Sequence, residues 1–405
     1  MWLYFISVSV AIILSVPLLV ISLQLLITLI IRKPSSLINT NDISNQSYKI
    51  LMPAHNEETI IETTLLALIK QGVAAENIIV IADNCNDDTA KISTQLGTVV
   101  LERFNDKSRG KGFALDHGLR YLKSSLPPDV VVILDADCEI DNKSLNLLVT
   151  QSYKENKPVQ ALYMMRNNLQ LSLKQRVTGF AWLVKNKLRP IAMHFLQLPI
   201  TLTGTGMAFP WDHIVNINVA HGNIVEDMQL GIDCTLMGAA PIFCIDAVVY
   251  SEFPEQAEAV STQRTRWEHG HLMTIIQQVP SLFKQAIIRR DWRLLGLVLD
   301  ISVPPLSLLV LFSVSTLFLL SIYAYFFNNT DALLLAVSCF SLFSVVLVII
   351  WWKFGRDYLT LKELCRIPFY VISKISIYVA FIFNRQQSWI RTSRKVKVKV
   401  KVKNK

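Results

Sequence analysis

The sequence predicts an α/β domain with apolar, membrane-spanning segments on both sides of it. Between residues 48 and 134, short apolar runs alternate with segments whose apolar residues recur at helical spacing. Acidic and amide residues follow several of those runs directly. The chain is 52% hydrophobic and only 18% charged, and the apolar excess lies at its two ends. Strands that alternate with helices indicate a largely parallel sheet covered by helices on both faces.

The N-terminal segment 1–31 is almost unbroken apolar sequence, with Gln24 as its only strongly polar residue. About 20 such residues span a bilayer, and the segment lacks the basic start and short apolar core of a cleaved signal peptide. We therefore expect a retained N-terminal transmembrane helix. Arg32 and Lys33 place its end in the cytoplasm, and the polar stretch 32–47 is expected to be a linker.

The central region has a polar cluster after each of several predicted strands. His55 and Glu57 follow the first strand, and Asp83 follows the second. In an open α/β sheet, ligands bind at the carboxyl ends of the strands, so these clusters indicate a nucleotide site. The predicted strands are 48–52, 77–82, 99–102 and 130–134, and the predicted helices are 59–70, 89–96, 110–123 and 229–237.

The fourth strand ends in Asp135-Ala136-Asp137, two carboxylates presented by one strand end. Paired carboxylates are oxygen ligands that suit a hard divalent cation, and such a cation commonly accompanies phosphates. A solvated strand exit is the alternative for this motif by itself. The chain has neither a G-x-G-x-x-G motif after the first strand nor a Walker P-loop. Phosphate binding is therefore assigned to a metal and to the basic residues Arg109 and Lys111.

Three further clusters follow in the second half of the central region. Each has a plain structural alternative: a turn of small residues, an acidic start to a helix, or a basic and aromatic patch at a membrane interface. If they are functional, the first lets the backbone approach a ligand closely and the second supplies a carboxylate base. The third supplies guanidinium groups for phosphate and an indole ring for a sugar. They are Gly204-Thr205-Gly206, Glu226-Asp227, and Gln263-Arg264-Thr265-Arg266-Trp267.

Two other features are expected to have no catalytic part. The pair of histidines in Glu268-His269-Gly270-His271 is spaced i, i+2, which does not share a helix face, so a metal site is not expected there. The six cysteines show no paired spacing and are expected to be free thiols facing a reducing cytoplasm.

The C-terminal part, 291–385, is expected to be a membrane region. One span ends at Phe327 and is interrupted near Pro304-Pro305, and a second covers 332–352. The segment 367–383 contains Lys374 and is either a third span or an interfacial helix. The interfacial interpretation is favoured because it needs no buried lysine. The basic tail, 386–405, carries much of the net charge of +9 and is either a contact for anionic lipids or a plain solvated end.

Taken together, the motifs resemble those of the membrane-bound family 2 glycosyltransferases, which include cellulose, chitin, hyaluronan and poly-N-acetylglucosamine synthases. The resemblance rests on Pro-Ala-His-Asn-Glu at 53–57, an acid after the second strand, D-x-D, Gly-Thr-Gly, Glu-Asp and Q-x-x-R-W, in that order over 48–271. It implies a GT-A catalytic domain over 48–290 in the cytoplasm. It also implies an inverting transfer from a nucleotide-diphosphate sugar, expected to be a UDP-sugar, at the inner (cytoplasmic) membrane.

The resemblance also implies roles for particular residues. Asp227 would be the general base that deprotonates the acceptor hydroxyl. Asp135 and Asp137 would hold Mg²⁺ or Mn²⁺ against the diphosphate. The donor-binding set would be His55, Glu57, Asp83, Lys111 and Asp135, and the set for the acceptor and diphosphate would be Gly204, Thr205, Gly206, Glu226, Gln263, Arg266 and Trp267.

Two departures from the family pattern leave the acceptor open. Ala82 stands where the turn after the second strand commonly begins with a second acid, and few spans are available for a self-contained polysaccharide channel. The expected function is addition to a growing exopolysaccharide, with a small membrane partner subunit as one way to complete a pore. Single-sugar transfer to a membrane lipid is the alternative, and an inactive scaffold or transport subunit is a remote one. Membrane lipids are expected partners and nucleic acid is not.

Overall fold

The structure is a computed structural model that describes residues 1–31, 46–166, 171–220, 225–253, 257–383 and 385. Most of the predicted linker and all of the basic tail lie outside these residues. The central domain is built on an eight-stranded sheet in the order β3-β2-β1-β4-β7-β6-β8-β5. The strands are β1 (Tyr48–Ala54), β2 (Ile78–Asp83), β3 (Val99–Arg103), β4 (Val130–Ile133), β5 (Cys138–Ile140), β6 (Val159–Met165), β7 (Met207–Pro210) and β8 (Ile242–Ser251).

The first half of the sheet is parallel, as predicted. Strands β3, β2, β1 and β4 pair in parallel registers and lie within two residues of their predicted bounds. Every residue of β2 and β4 is buried, because helices cover both faces of this half. A strand buried on both faces is expected to be continuously apolar, which is why these two runs were visible in the sequence.

The second half of the sheet is mixed, so the expectation of a largely parallel sheet is wrong there. Strand β7 runs antiparallel to β4 and β6, β5 runs antiparallel to β8, and β6 and β8 are parallel. Strand β6 was not predicted, because a short apolar run on its own does not distinguish a buried strand from a buried helix segment. All seven residues of β6 are buried.

The helices cover both faces of the sheet and continue into the membrane region. A π-helical turn, Val184–Leu188, joins two of them into one long segment. The helices are α1 (Trp2–Ile30), α2 (Ile61–Lys70), α3 (Thr89–Gln95), α4 (Lys111–Ser124), α5 (Asn142–Glu155), α6 (Leu173–Leu183), α7 (Arg189–Phe195), α8 (Trp211–Ile214), α9 (Glu226–Leu236), α10 (Ala257–Arg289), α11 (Trp292–Ile301), α12 (Leu306–Phe327), α13 (Asp331–Ile350), α14 (Leu361–Leu364), α15 (Ile367–Ser373) and α16 (Ile375–Phe383).

Among the residues that the structure describes, four helical segments are long and apolar enough to cross a membrane: Trp2–Ile30, Leu306–Phe327, Asp331–Gly355 and Leu361–Phe383. The predicted break at Pro304-Pro305 is present, since α11 ends before it and α12 begins after it. Lys374 lies in the fourth segment and is buried, and its ammonium forms an ion pair with Glu268 of α10. The objection to a buried lysine, which favoured the interfacial interpretation, is therefore met by this partner.

A buried polar junction connects the first of these helices to the central domain. The amide of Gln24 in α1 donates to Asp300 of α11 (2.8 Å) and accepts from Arg189 of α7 (3.0 Å). Arg189 and Asp300 form an ion pair at 2.7 Å, and all three side chains are buried. Buried charges are stable only when paired and hydrogen-bonded, so this junction accounts for Gln24, the single strongly polar residue of the N-terminal segment.

Candidate active site

A cavity of about 260 Å³ opens at the carboxyl end of the parallel strands. Its lining comes from three sources: the ends of β1, β2 and β4, the start of α4, and a set of helical residues on the opposite side. This is the edge at which an α/β sheet of this type binds ligands. Of the residues predicted for the site, those that line the cavity are His55, Glu57, Asp83, Arg109, Lys111, Asp135, Asp137, Gly204, Glu226, Asp227, Gln263, Arg266 and Trp267.

The ends of β1 and β2 are tied together at one side of the cavity. The ring Nδ1 of His55 lies 2.6 Å from the carbonyl oxygen of Asp83, so Nδ1–H donates and Nε2 is directed elsewhere. The carboxylate of Asp83 is buried and forms an ion pair with Arg103 of β3, which also donates to the carbonyl of Ser108 (2.6 Å). Arg103 was not predicted, because only the pairing of β3 with β2 places it directly opposite Asp83.

The end of β4 has the donor set expected for a hard cation. Ligand atoms of Asp135, Asp137 and Cys138 lie within 4.8 Å of one another. Burial raises the pKa of the Cys138 thiol well above its usual value, so the thiol stays protonated and is a poor ligand for a hard metal. The two carboxylates are the oxygen ligands that Mg²⁺ and Mn²⁺ prefer, so these residues fit such an ion.

Lys111, the first residue of α4, already places a positive charge at this position. Its ammonium donates to the carboxylate of Asp135 and to the carbonyl of Gly204 (2.7 Å). Burial acts to lower the pKa of Lys111, but the carboxylates of Asp135 and Glu226 outweigh it and the pKa is raised. The lysine is therefore charged at neutral pH and faces the place where a diphosphate would meet a metal.

The Gly-Thr-Gly turn is split between the cavity and the structure behind it. Gly204 lines the cavity with φ +93°, and a Cβ there would lie 3.3 Å from the Asp227 carboxylate. Thr205 is fully buried and its hydroxyl accepts from the backbone N–H of Asp135 at 3.0 Å. Gly206, with φ +63°, packs so closely that a Cβ would lie 2.6 Å from Val249. Thr205 thus supports the end of β4 from behind, Gly206 packs against β6 and β8, and Gly204 reaches the ligand space.

The acid pair Glu226-Asp227 forms the first turn of α9, where carboxylates are also favoured by the helix dipole. The Asp227 carboxylate accepts from the backbone N–H of Met228 at 2.9 Å. Burial, with the charge of Asp227 as the second cause, raises the pKa of Glu226 to about 7. The two acids therefore differ in environment, an arrangement that separates the roles of paired carboxyls.

The Q-x-x-R-W residues come from α10. Gln263, Arg266 and Trp267 line the cavity, and the Nε of Arg266 is buried with no hydrogen-bond partner among the described residues. Arg264 faces elsewhere and donates to the carbonyl of Lys174 (2.8 Å). A helix turns about 100° per residue, so the motif presents only part of itself to the site.

The opposite side of the cavity contains residues that the sequence analysis missed. The indole ring of Trp182 contacts that of Trp267, with ring centroids 4.9 Å apart. The indole N–H of Trp182 donates to the carbonyl of Tyr163 (3.0 Å). Lys185 and Asn186 follow it on the π-helical turn and also line the cavity. π-helical turns are frequent at functional sites, but no motif marks this one in the sequence. We refer to Trp182, Lys185, Asn186, Asp227 and Trp267 as the helical wall.

The residues of the Glu268–His271 segment form contacts with other parts of the chain. Glu268 pairs with Lys374, the His269 ring contacts the carbonyl oxygen of Ile377 at 2.9 Å, and His271 contacts that of Ile301 at 3.0 Å. Burial lowers the pKa of His271 to about 3. All six cysteines are free thiols, as predicted.

The mixed sheet of this order, with an acidic strand end beside a basic helix start, has the GT-A fold. The family model described as "Glycosyltransferase like family 2" matches residues 46–270, more than half of the chain. The chain therefore belongs to this family. The fold and family that the motifs implied are thereby confirmed.

The individual relatives agree on the class. The chain is 32% identical over 114 residues to 4,4'-diaponeurosporenoate glycosyltransferase of Staphylococcus haemolyticus, which is 27% of this chain and 29% of that one. It is 25% identical over 253 residues to probable glycosyltransferase YdaM of Bacillus subtilis, 58% of this chain and 57% of that one. The match thus spans about half or less of these curated relatives' own length.

Among solved structures, the chain is similar to the mannosyltransferase PcManGT of Pyrobaculum calidifontis in complex with GDP-Man and Mn²⁺. The TM-score is 0.54 at 15% identity, over 94% of this chain and 100% of that one. At this identity the likeness concerns the fold alone.

Proposed function

We propose that this protein is an inverting, metal-dependent glycosyltransferase that uses a nucleotide-diphosphate sugar at the cytoplasmic face of the inner membrane. One observation carries the proposal. Asp227, which begins a helix, and the Asp135-Ala136-Asp137 strand end are remote in the chain but line one cavity. A single-displacement transfer needs such a pair of functions, one group for the leaving diphosphate and a separate base for the nucleophile.

The metal would be held by Asp135 and Asp137 as Mg²⁺ or Mn²⁺. When bound, it would supply positive charge to the diphosphate leaving group. Lys111 and Arg266 add two fixed cations on the same cavity, and guanidinium groups suit phosphate oxygens. His55, Glu57 and Asp83 line the donor side, where the nucleoside would bind. We favour a UDP-sugar as the donor, from the family resemblance.

The transfer requires one base and proceeds in a single displacement without a covalent enzyme intermediate. The acceptor hydroxyl oxygen forms a bond to the anomeric carbon as the bond from that carbon to the phosphate oxygen breaks. The hydroxyl proton passes to the carboxylate of Asp227, and the nucleoside diphosphate leaves with the electron pair. Trp267 and Gln263 would position the acceptor, since an indole ring packs well on the apolar face of a sugar.

The acceptor is either a growing exopolysaccharide or a membrane lipid. The family resemblance favours the polymer, with a partner subunit that completes a pore. One observation favours the lipid: the described lining of the cavity includes no residue of the four candidate membrane helices. A long polymer would have to pass from this cavity to the membrane helices, whereas a lipid acceptor needs only to reach the cavity from the bilayer surface.

Membranes that contain the protein, incubated with a panel of radiolabelled UDP- and GDP-sugars, test this function. We expect labelled product with at least one donor, loss of product with a chelator, and recovery with Mg²⁺ or Mn²⁺. Asp137→Asn should abolish the metal response, and Asp116→Asn, a surface change on α4, should leave it intact. A ladder of products indicates a polymer and one labelled lipid indicates single transfer. Absence of metal-dependent turnover with every donor would favour the scaffold alternative.

A further inference from the structure

The helical wall contains a cation that the proposed chemistry does not use. Lys185 forms no hydrogen bond or ion pair with any described residue, whereas Lys111 pairs with Asp135 and Arg189 with Asp300. Its side chain is exposed, and that exposure is to the cavity it lines. The surrounding protein lowers the pKa of Lys185, chiefly by desolvation, and the charge of Asp227 is the strongest influence in the opposite direction. An ammonium in such a setting gains from an anionic partner.

Lys185 lines the cavity from a helical segment, whereas His55 and Asp83 line it from the strand ends. Lys185 lines the main cavity together with Asp227 and also a small cavity beneath it, whose lining includes Arg189 and Asp300. These two residues form the junction with Gln24 of α1, so Lys185 lies between the proposed base and the first membrane helix. The donor side has its own cavity, which His55 and other residues of the strand ends line instead.

The neighbours of Lys185 complete the outline of a binding subsite. The amide oxygen of Asn186 is buried and has no hydrogen-bond partner among the described residues, and its NH₂ group donates to the carbonyl of Tyr163 at 3.3 Å. That oxygen suits a hydroxyl donor. The rings of Trp182 and Trp267, which contact each other at an interplanar angle of 44°, offer an apolar surface beside it. One turn of helix thus presents a cation, a hydrogen-bond acceptor and an aromatic face.

We propose that Lys185 binds an anionic group, a phosphate or a carboxylate, that the acceptor carries near the hydroxyl attacked in the transfer. The inference deepens the proposed function and rests on it. The positive charge of Lys185 is not consumed by Asp227, since the two side chains form no ion pair. Lys111 and Arg266 already serve the donor diphosphate. The acceptor is therefore an anionic, partly apolar molecule that approaches from the membrane side.

The first test is the charge of the natural product. Membranes are incubated with the active labelled donor, the labelled material is extracted, and it is passed over an anion exchanger. We expect the product to be retained. Coupling of carboxylates to a neutral amine with a carbodiimide will remove the retention if the anion is a carboxylate and leave it if the anion is a phosphate. A labelled product that passes the exchanger unretained overturns the proposal.

The second test uses Lys185 variants and matched acceptors. Phosphatidylglycerol is compared with diacylglycerol, and glucuronosyl diacylglycerol with glucosyl diacylglycerol, in mixed micelles. For the anionic member of the effective pair, Lys185→Met should raise KM about tenfold or more, since a hydrogen bond to a charged group has a large effect on binding. Lys185→Arg should restore most of the affinity. Lys187→Met, a neighbouring lysine outside the cavity lining, is the control and should match wild type.

Nucleotide binding by the Lys185→Met variant distinguishes the loss of this subsite from a general loss of structure. Lys185→Met should bind the nucleoside diphosphate with wild-type affinity in the presence of Mg²⁺, because the donor side is intact. An equal loss on neutral and anionic acceptors, or no loss on either, overturns the role of Lys185 while the glycosyltransferase function stands. If the wild-type protein turns over no nucleotide sugar at all, the proposed function itself fails and this inference fails with it.

Discussion

The two sides of the cavity are built in different ways. The strand side consists of short polar sequences that directly follow β1, β2 and β4, so each functional residue is adjacent in sequence to the element that positions it. The helical wall combines residues from α6, a π-helical turn, α9 and α10, which are separated by long stretches of chain. The residues of the strand side are therefore positioned by their own neighbours in sequence, whereas those of the helical wall are brought together by the packing of distant segments. The predictions below test that division.

The largest expected effect is on the chemistry of the helical wall. Asp227→Asn should lower the transfer rate by about 10²–10⁴-fold, because the acceptor hydroxyl loses its proton acceptor. Binding of nucleoside diphosphate with Mg²⁺ should be unchanged, since the strand side holds it. Rates are measured with the active labelled donor in membranes with matched protein levels. Asp233→Asn, on the same helix and outside the cavity lining, serves as control. Full activity in Asp227→Asn would show that the base lies elsewhere.

The next largest effect is expected at the buried junction of Gln24, Arg189 and Asp300, which connects the first membrane helix to the segment that carries part of the helical wall. Arg189→Met leaves the carboxylate of Asp300 buried without its cation and should destabilise the protein by about 3–5 kcal/mol. The double variant Arg189→Met with Asp300→Leu removes both charges and should recover much of that loss. Unfolding of the detergent-solubilised protein is followed by intrinsic fluorescence. If the double variant is no more stable than the single one, the junction is not held by the pairing of these charges.

A smaller effect distinguishes two glycines where the two sides meet. Gly206→Ala forces a Cβ to within 2.6 Å of Val249 at positive φ, and it should destabilise the fold by about 1–3 kcal/mol. Gly204→Ala has more room, but its Cβ lies 3.3 Å from the Asp227 carboxylate, so it should reduce turnover more than stability. Thermal unfolding and turnover are measured on both variants. Identical losses in both variants would remove the distinction between lining and support.

The smallest expected effect is a pH dependence of stability that arises from the buried carboxyl of Glu226. Burial raises the pKa of Glu226 from 4.5 to about 7, so the folded state keeps a proton that the unfolded chain releases between these values. The contribution of Glu226 to stability is therefore present below pH 4.5 and is lost as pH rises through 7, by an amount on the order of 1 kcal/mol or more.

The matched variant for this effect is Glu226→Gln, which cannot ionise. The difference in melting temperature between wild type and variant, recorded from pH 5 to pH 8, should change in favour of the variant as pH rises. A difference that is constant across this range would place the titration of Glu226 near its ordinary value.

The sequence alone determined the parallel half of the sheet, the strand-end acids, the motif residues on α9 and α10, and three of the four apolar helices. These features repeat a local rule: a buried strand is a short apolar run, a ligand residue follows its end, and a membrane helix is a long apolar run. The family resemblance added roles that spacing by itself left open, such as that of Asp227.

Only the tertiary structure decided the rest. The antiparallel placement of β7, the ion pair of Asp83 with Arg103, and the position of Thr205 and Gly206 behind the cavity all depend on contacts between distant segments. The same is true of Lys185, whose neighbours in sequence give no sign of a site. Its position in the cavity lining depends on the packing of a π-helical turn beside α9 and α10, and no local sequence pattern indicates such packing.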